Sequence, residues 1–257
     1  MNKLNQTFAS GKAFIPFITG GDPDMETTEK LLYALSESGA DAIEIGVPFS
    51  DPIAEGPVIE AASERALQAG CTVDLLFQLA RQVRGKIETP LLFMTYYNPV
   101  FVYGVQRFTR ECAACGVDGL IVPDLPFEER DELLAPCQSQ GIELISLIAP
   151  TSQERIARIA QNSSGFLYCV SSLGVTGARG EIDGGARAMV AQAREAAPIP
   201  CAVGFGISTP AQALEVSRFA DGVIIGSAIV SIVAAYGCNA IGPVREFAQQ
   251  VKQAITF

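Results

Sequence analysis

The chain has 257 residues, 49% of them hydrophobic and 18% charged, enough for one large core and short for two comfortable domains. Its 18 basic residues stand against 28 acidic ones for a net charge of -10, a sign that repels nucleic acid and anionic membrane. Mean hydropathy is slightly positive, yet the apolar runs, such as 13–19 and 91–94, are short and interrupted by Pro, Gly or polar residues, so none reaches spanning length.

There is no His, and only five Lys, at positions 3, 12, 30, 86 and 252. Imidazole acid/base catalysis, His-ligated metals and Ser-His triads are thereby excluded, and proton transfer falls to Asp, Glu, Tyr or Cys. The seven Cys form an odd set with no disulfide framework and are expected as reduced thiols. Cys112 and Cys115 read as C-x-x-C, but no second pair accompanies them and core packing is the expected role. The opening MNKLNQTFAS has neither an apolar signal core nor transit-peptide character, so the expected address is the cytoplasm.

Taken in chain order, β-rich segments are expected at 13–19, 42–46, 90–96, 119–122, 143–148, 166–170, 201–203 and 222–225. Amphipathic stretches alternate with them, for example 27–39, 128–141 and 153–165, each closed by Gly. The phrases GADAIEIG, GVDGLIVPD and ADGVIIG each run from a helix end into a buried strand. Eight such units in one domain over residues 1–257 predict a (βα)8 TIM barrel. An open doubly wound sheet gives the same alternation, but it normally shows G-x-G-x-x-G after its first strand, where this chain has TGGDPD. In a barrel, chemistry belongs at the C-terminal strand ends.

The segment AIEIGVPFSDPIAEGPVIE at 42–60 places three acids at such an end. Alternation puts Ala42, Glu44 and Gly46 on one face, so Glu44 is expected inside the barrel. A buried carboxylate there invites a raised pKa or a catalytic duty; a structural carboxylate hydrogen-bonded across the barrel is the competing reading. Asp51 and Glu55 follow in the same loop, supplying acids for proton donation and removal. Gly-rich turns at 173–185, 203–209 and 224–230 end the late strands, the usual phosphate position of such barrels. Gly226 and Ser227 open an apolar helical run whose amides and dipole suit a dianion, and Arg179 and Arg187 are candidates to attract it from farther out.

The run from Glu44 to Pro57, together with PFITGGDP at 16–23, Tyr96, Asn98, GVTG at 174–177, GFGIS at 204–208 and GSAIV at 226–230, resembles the tryptophan synthase alpha subunits across essentially the whole chain. The resemblance implies cleavage of indole-3-glycerol phosphate to indole and glyceraldehyde 3-phosphate. It implies passage of indole to a beta subunit in an alpha-beta-beta-alpha complex. It implies no cofactor in this chain, with pyridoxal phosphate carried by the partner. Residue by residue, Glu44 matches the family's acid/base glutamate, and Glu55 stands where aspartate is frequent, one methylene longer. Phe17, Met94, Ile121, Ile148, Tyr168, Phe205 and Ile224 match the apolar lining of the indole pocket, and Thr176 the lid threonine. Gly177, Gly206, Gly226 and Ser227 match phosphate contacts.

Among rivals, metal epimerases and triosephosphate isomerase need the missing His, and no Lys falls at a strand end suited to an imine. A non-catalytic regulatory subunit would have no use for both Glu44 and Glu55.

Overall fold

The computed structural model describes residues 3–170, 184–204 and 206–256. Eight parallel strands close into a barrel in sequence order. They are β1 (Ala13–Thr19), β2 (Ile43–Gly46), β3 (Leu91–Met94), β4 (Gly119–Ile121), β5 (Glu143–Ile148), β6 (Leu167–Val170), β7 (Cys201–Gly204) and β8 (Gly222–Ile225). Every expected strand is present, with ends within two residues of expectation. The (βα)8 architecture is thus as the sequence reading had it.

The helical layer comprises α1 (Met25–Glu37), α2 (Pro57–Gln68), α3 (Val73–Arg84), α4 (Tyr97–Tyr103), α5 (Val105–Cys115), α6 (Asp131–Ser139), α7 (Ile156–Gln161), α8 (Gly184–Ala196), α9 (Pro210–Ser217), α10 (Ser227–Tyr236) and α11 (Ile241–Ile255). Alternation is not strict. Two helices separate β2 from β3, because the Gly70 turn breaks the helical run and Thr72 then caps a new one, accepting from the Leu75 amide at 3.3 Å. Two more separate β3 from β4, where Gly104 at φ 91° ends α4 and starts α5. The Gly-closed expectation for α1 and α6 is met by Gly39 and Gly141, at φ 87° and 71°, a conformation that a side chain would strain. No helix among the described residues is long and apolar enough to cross a membrane.

Strand alternation sorts the core into two layers. Ile18, Ile43, Ile45, Phe93, Leu120 and Val223 face the helices, while Ala13, Ile15, Phe17, Leu92, Met94, Ile121, Ile145, Tyr168 and Ile224 fill the barrel. Parallel register keeps partners on a common face: Phe17 pairs with Glu44, and Glu44 with Leu92. Cys112 and Cys115 are buried against the helix-facing core, in keeping with a packing role, and among the described residues no group of His, Cys, Asp and Glu is arranged to hold a metal.

Candidate active site

Glu44 enters the barrel by alternation on β2, whose Ile43 and Ile45 turn outward. Its side chain is 0% exposed, and among the described residues neither carboxyl oxygen has a hydrogen-bond partner. The cross-barrel hydrogen bond of the competing structural reading is therefore not found. Desolvation drives its pKa well above the ordinary 4.5, since an ionised carboxylate in this setting costs several kcal/mol and the proton is retained instead. The pKa of Tyr168, buried on β6, is raised by the same desolvation and, second, by the charge of Glu44.

Above this layer lies a cavity of about 660 Å³, mouth included. Phe17, Met94, Tyr168 and Ile224 from four strands form its apolar walls, Glu55 stands on one side, and Gly206, Gly226 and Ser227 on another. Glu44 does not line it in this conformation and sits beneath, next to Phe17. Small residues make this packing possible. A β-carbon on Gly46 would stand 2.5 Å from Phe17 Cζ, and one on Gly204 would stand 2.6 Å from the Tyr168 oxygen.

Glu55 belongs to the loop between β2 and α2 and is half-buried. The Tyr96 hydroxyl donates to its Oε2 at 2.9 Å. Burial raises its pKa, the Tyr96 hydrogen bond opposes that, and the charges of Glu60 and Asp124 add to the rise. Asp51, the third acid of the loop, is exposed and accepts from Ser50 Oγ at 2.5 Å.

At the end of β8, α10 opens with Gly226 at its N-cap and no side-chain cap, and Gly226, Ser227 and Ala228 line the cavity, so first-turn amides and the helix dipole stand there beside the Ser227 hydroxyl. The neighbouring Ser208 is already engaged, its amide and hydroxyl both donating to Gln212 Oε1 at 2.8 and 3.0 Å. Among the described residues no Lys lines the cavity. Arg187 stacks over Phe219 at 4.7 Å and is occupied in the helical layer.

Of the anticipated lining, Ile121 is in the barrel layer, in register with Met94. Ile148 is a correction: it pairs with Cys169 and packs with the helix-facing core. Its neighbour Leu147, in register with Tyr168, takes the inward side, because β5 alternates from Ile145. Thr176, Gly177, Arg179 and Phe205 lie outside the described residues. The reading missed Ala54, Ile59, Pro123 and Ile207, which also line the cavity, and the role of Tyr96. A count of alternation from Ile145 would have found Leu147; the others come from loops and a helix, where no strand period points.

Fold and site together define a (βα)8 barrel with an apolar cavity at its strand ends, a carboxylate in the cavity wall and a second carboxyl buried in the barrel. The sequence matches the family model described as "Tryptophan synthase alpha chain" over residues 3–256. It is 47% identical to the tryptophan synthase alpha chain of Lacticaseibacillus casei over 99% of this chain and 96% of that one, and 45% identical to that of Geobacter sulfurreducens over 99% of each. The solved alpha subunit of Legionella pneumophila superposes with a TM-score of 0.90 at 38% identity, covering 99% of this chain and 98% of that one. A chain of the Pyrococcus furiosus a2b2 complex does so at 0.89 and 38%, covering 95% and 98%. The chain belongs to the tryptophan synthase alpha chain family. Its activity is that of the alpha subunit in tryptophan biosynthesis, a lyase acting on indole-3-glycerol phosphate. The alpha chain carries no cofactor itself, and pyridoxal phosphate belongs to the beta subunit.

Proposed function

We propose that the cleavage runs on Glu44 and Glu55 in the cavity between β1, β6 and α10. The carrying observation is Glu44: a fully buried carboxyl that has no hydrogen-bond partner among the described residues, beside an apolar cavity that a helix N-terminus also lines. The indole ring packs among Phe17, Met94, Tyr168 and Ile224. The phosphate sits against the first turn of α10, with Gly206, Gly226 and Ser227 supplying amides and a hydroxyl; Thr176, Gly177 and Phe205 complete the site from outside the described residues.

In this reading Glu44, held protonated by burial, turns about its side-chain torsions into the cavity and gives its proton to indole C3. The N1–H proton leaves toward Glu55, which forms the indolenine. The Glu44 carboxylate then removes the proton from the hydroxyl on the side-chain carbon bonded to C3. That carbon becomes the aldehyde of glyceraldehyde 3-phosphate, the carbon–carbon bond breaks toward the ring, and N1 regains its proton to yield indole. Protons and electrons balance with no oxidant or reductant. The apolar walls support this division of labour, since a dry cavity keeps one carboxyl neutral while a hydrogen bond favours ionisation of the other.

The chain acts in the cytoplasm within an alpha-beta-beta-alpha assembly and passes indole to the pyridoxal-phosphate subunit. The test is single-turnover indole formation by Glu44→Gln alongside its affinity for glycerol phosphate. General acid/base loss is worth about 10²- to 10⁴-fold, and turnover should fall toward the upper end while affinity holds. Near-normal turnover in the variant would sink the two-carboxylate mechanism.

A further inference from the structure

We infer that Tyr96 is the positioning residue for the indole-nitrogen carboxylate: its phenol pins the β2–α2 loop and commits its only proton to Glu55, keeping that side chain an acceptor in the cavity wall. This rests on the assignment of Glu55 proposed above and supplies what holds it in its role.

Tyr96 follows β3, is buried, and does not line the cavity. Its oxygen accepts the backbone N–H of Ile53 at 3.0 Å and of Ala54 at 2.8 Å, and donates to Glu55 Oε2 at 2.9 Å. A phenol has one proton and two acceptor positions. Backbone amides only donate, so they occupy both acceptor positions and the proton has one remaining direction, the Glu55 carboxylate. A protonated Glu55 aiming its own hydrogen at this oxygen would be a third donor with nowhere to bind. The arrangement thus favours the ionised form of Glu55.

The same oxygen holds the loop. Among the described residues, the hydrogen bonds that tie residues 50–55 to the barrel all end on Tyr96, and its ring is fixed by Phe49 at a centroid distance of 5.3 Å. Burial raises the phenol's own pKa, so it stays a donor. The other groups acting on Glu55 are Glu60 on α2 and Asp124 after β4, both acidic and both opposing ionisation. Tyr96 is therefore the group that opposes burial and two like charges, which together still leave the Glu55 pKa raised. Among the described residues Glu44 has no such donor, and this difference separates the two carboxyls.

The experiment uses the full chain and measures indole formation against pH for wild type, Tyr96→Phe, Glu55→Gln and the double variant, with glycerol phosphate affinity as the check on folding. Tyr96→Phe keeps the ring and removes the donor. Its turnover should drop about 10- to 100-fold, the size of a lost hydrogen bond to a charged group. The loss should come with an acid limb displaced by about one pH unit to higher pH, because Glu55 now ionises later. The double variant should be no slower than Glu55→Gln, since the phenol acts through that carboxylate. Glu55→Asp, which draws the carboxylate back from an intact phenol, should show the same displacement and keeps the test open should Tyr96→Phe fold poorly. An unmoved acid limb in Tyr96→Phe, or a further loss in the double variant while Glu55→Gln is slow, would overturn the Tyr96 assignment alone. Normal turnover in Glu55→Gln would overturn both it and the role given to Glu55.

Discussion

Phe17 lies directly across the inner face of Gly46, so close that a β-carbon on the glycine would stand 2.5 Å from Cζ and 2.8 Å from Cε2 of the ring. The ring that walls the cavity keeps its place because its neighbour on β2 has no side chain. Gly46→Ala should push Phe17 into the indole space or strain the strand pair, at a cost of about 1–3 kcal/mol as for other overpacked cores. Thermal melting should shift downward, and indole-3-glycerol phosphate cleavage should suffer more than glycerol phosphate binding. Wild-type cleavage in this variant would show that Phe17 does not set the cavity.

The buried Glu44 should write itself into stability against pH. Its folded pKa is raised above the ordinary 4.5 by desolvation, so the folded state holds a proton that the unfolded chain releases. The contribution is fully present below about pH 4.5 and is lost as pH rises through the folded pKa. Glu44→Gln, neutral at every pH, should melt at a temperature less sensitive to pH in that window than wild type does. Parallel curves for the two proteins would mean that Glu44 is not held protonated.

Phosphate recognition by backbone amides is testable at two glycines. Gly226 has room for little: a β-carbon there would come within 3.3 Å of Phe17 Cδ1. Gly206 has φ 77°, where a side chain is strained by ~1–3 kcal/mol. Gly206→Val and Gly226→Val should each weaken glycerol phosphate binding by at least about tenfold, the effect of losing one good contact. Calorimetric affinities equal to wild type in both would remove this site from consideration.

Arg65 on α2 meets Asp22 in two bonds of 2.8 Å, and the Asp22 side chain is 2% exposed. Arg65→Ala would strand a buried carboxylate. Because Arg65 itself is a third exposed, solvent screens part of the pair, and the expected loss is on the order of 2 kcal/mol. Chemical denaturation should show it, and a double variant that also carries Asp22→Asn should recover part of the loss.

Six of the seven cysteines are buried and Cys238 alone is exposed. Burial also pushes thiols such as Cys71 and Cys115 up to about 11, which keeps them from the reactive thiolate. Native protein should titrate one thiol with an aromatic disulfide reagent, lost in Cys238→Ser, and seven after unfolding. More than one fast-reacting thiol in the native state would contradict the packing of Cys112 and Cys115.

By itself the sequence determined the eight strands, their order and the inward face of β2, because strand period and turn chemistry are local properties. Glu44 was legible for that reason, and Gly226 with Ser227 because a glycine before an apolar helical run marks a helix N-terminus wherever it sits. Only the closed barrel decided the rest. Closure puts Ile148 on the helix side and Leu147 inside, since register with Cys169 and Tyr168 fixes which face each shares. It brings Tyr96 to Glu55 across 41 residues of chain, a pairing no periodicity encodes. And it withdraws Glu44 from water on every side, which raises the pKa of an ordinary carboxylate, because that change depends on what surrounds the group in space and not on its neighbours in the chain.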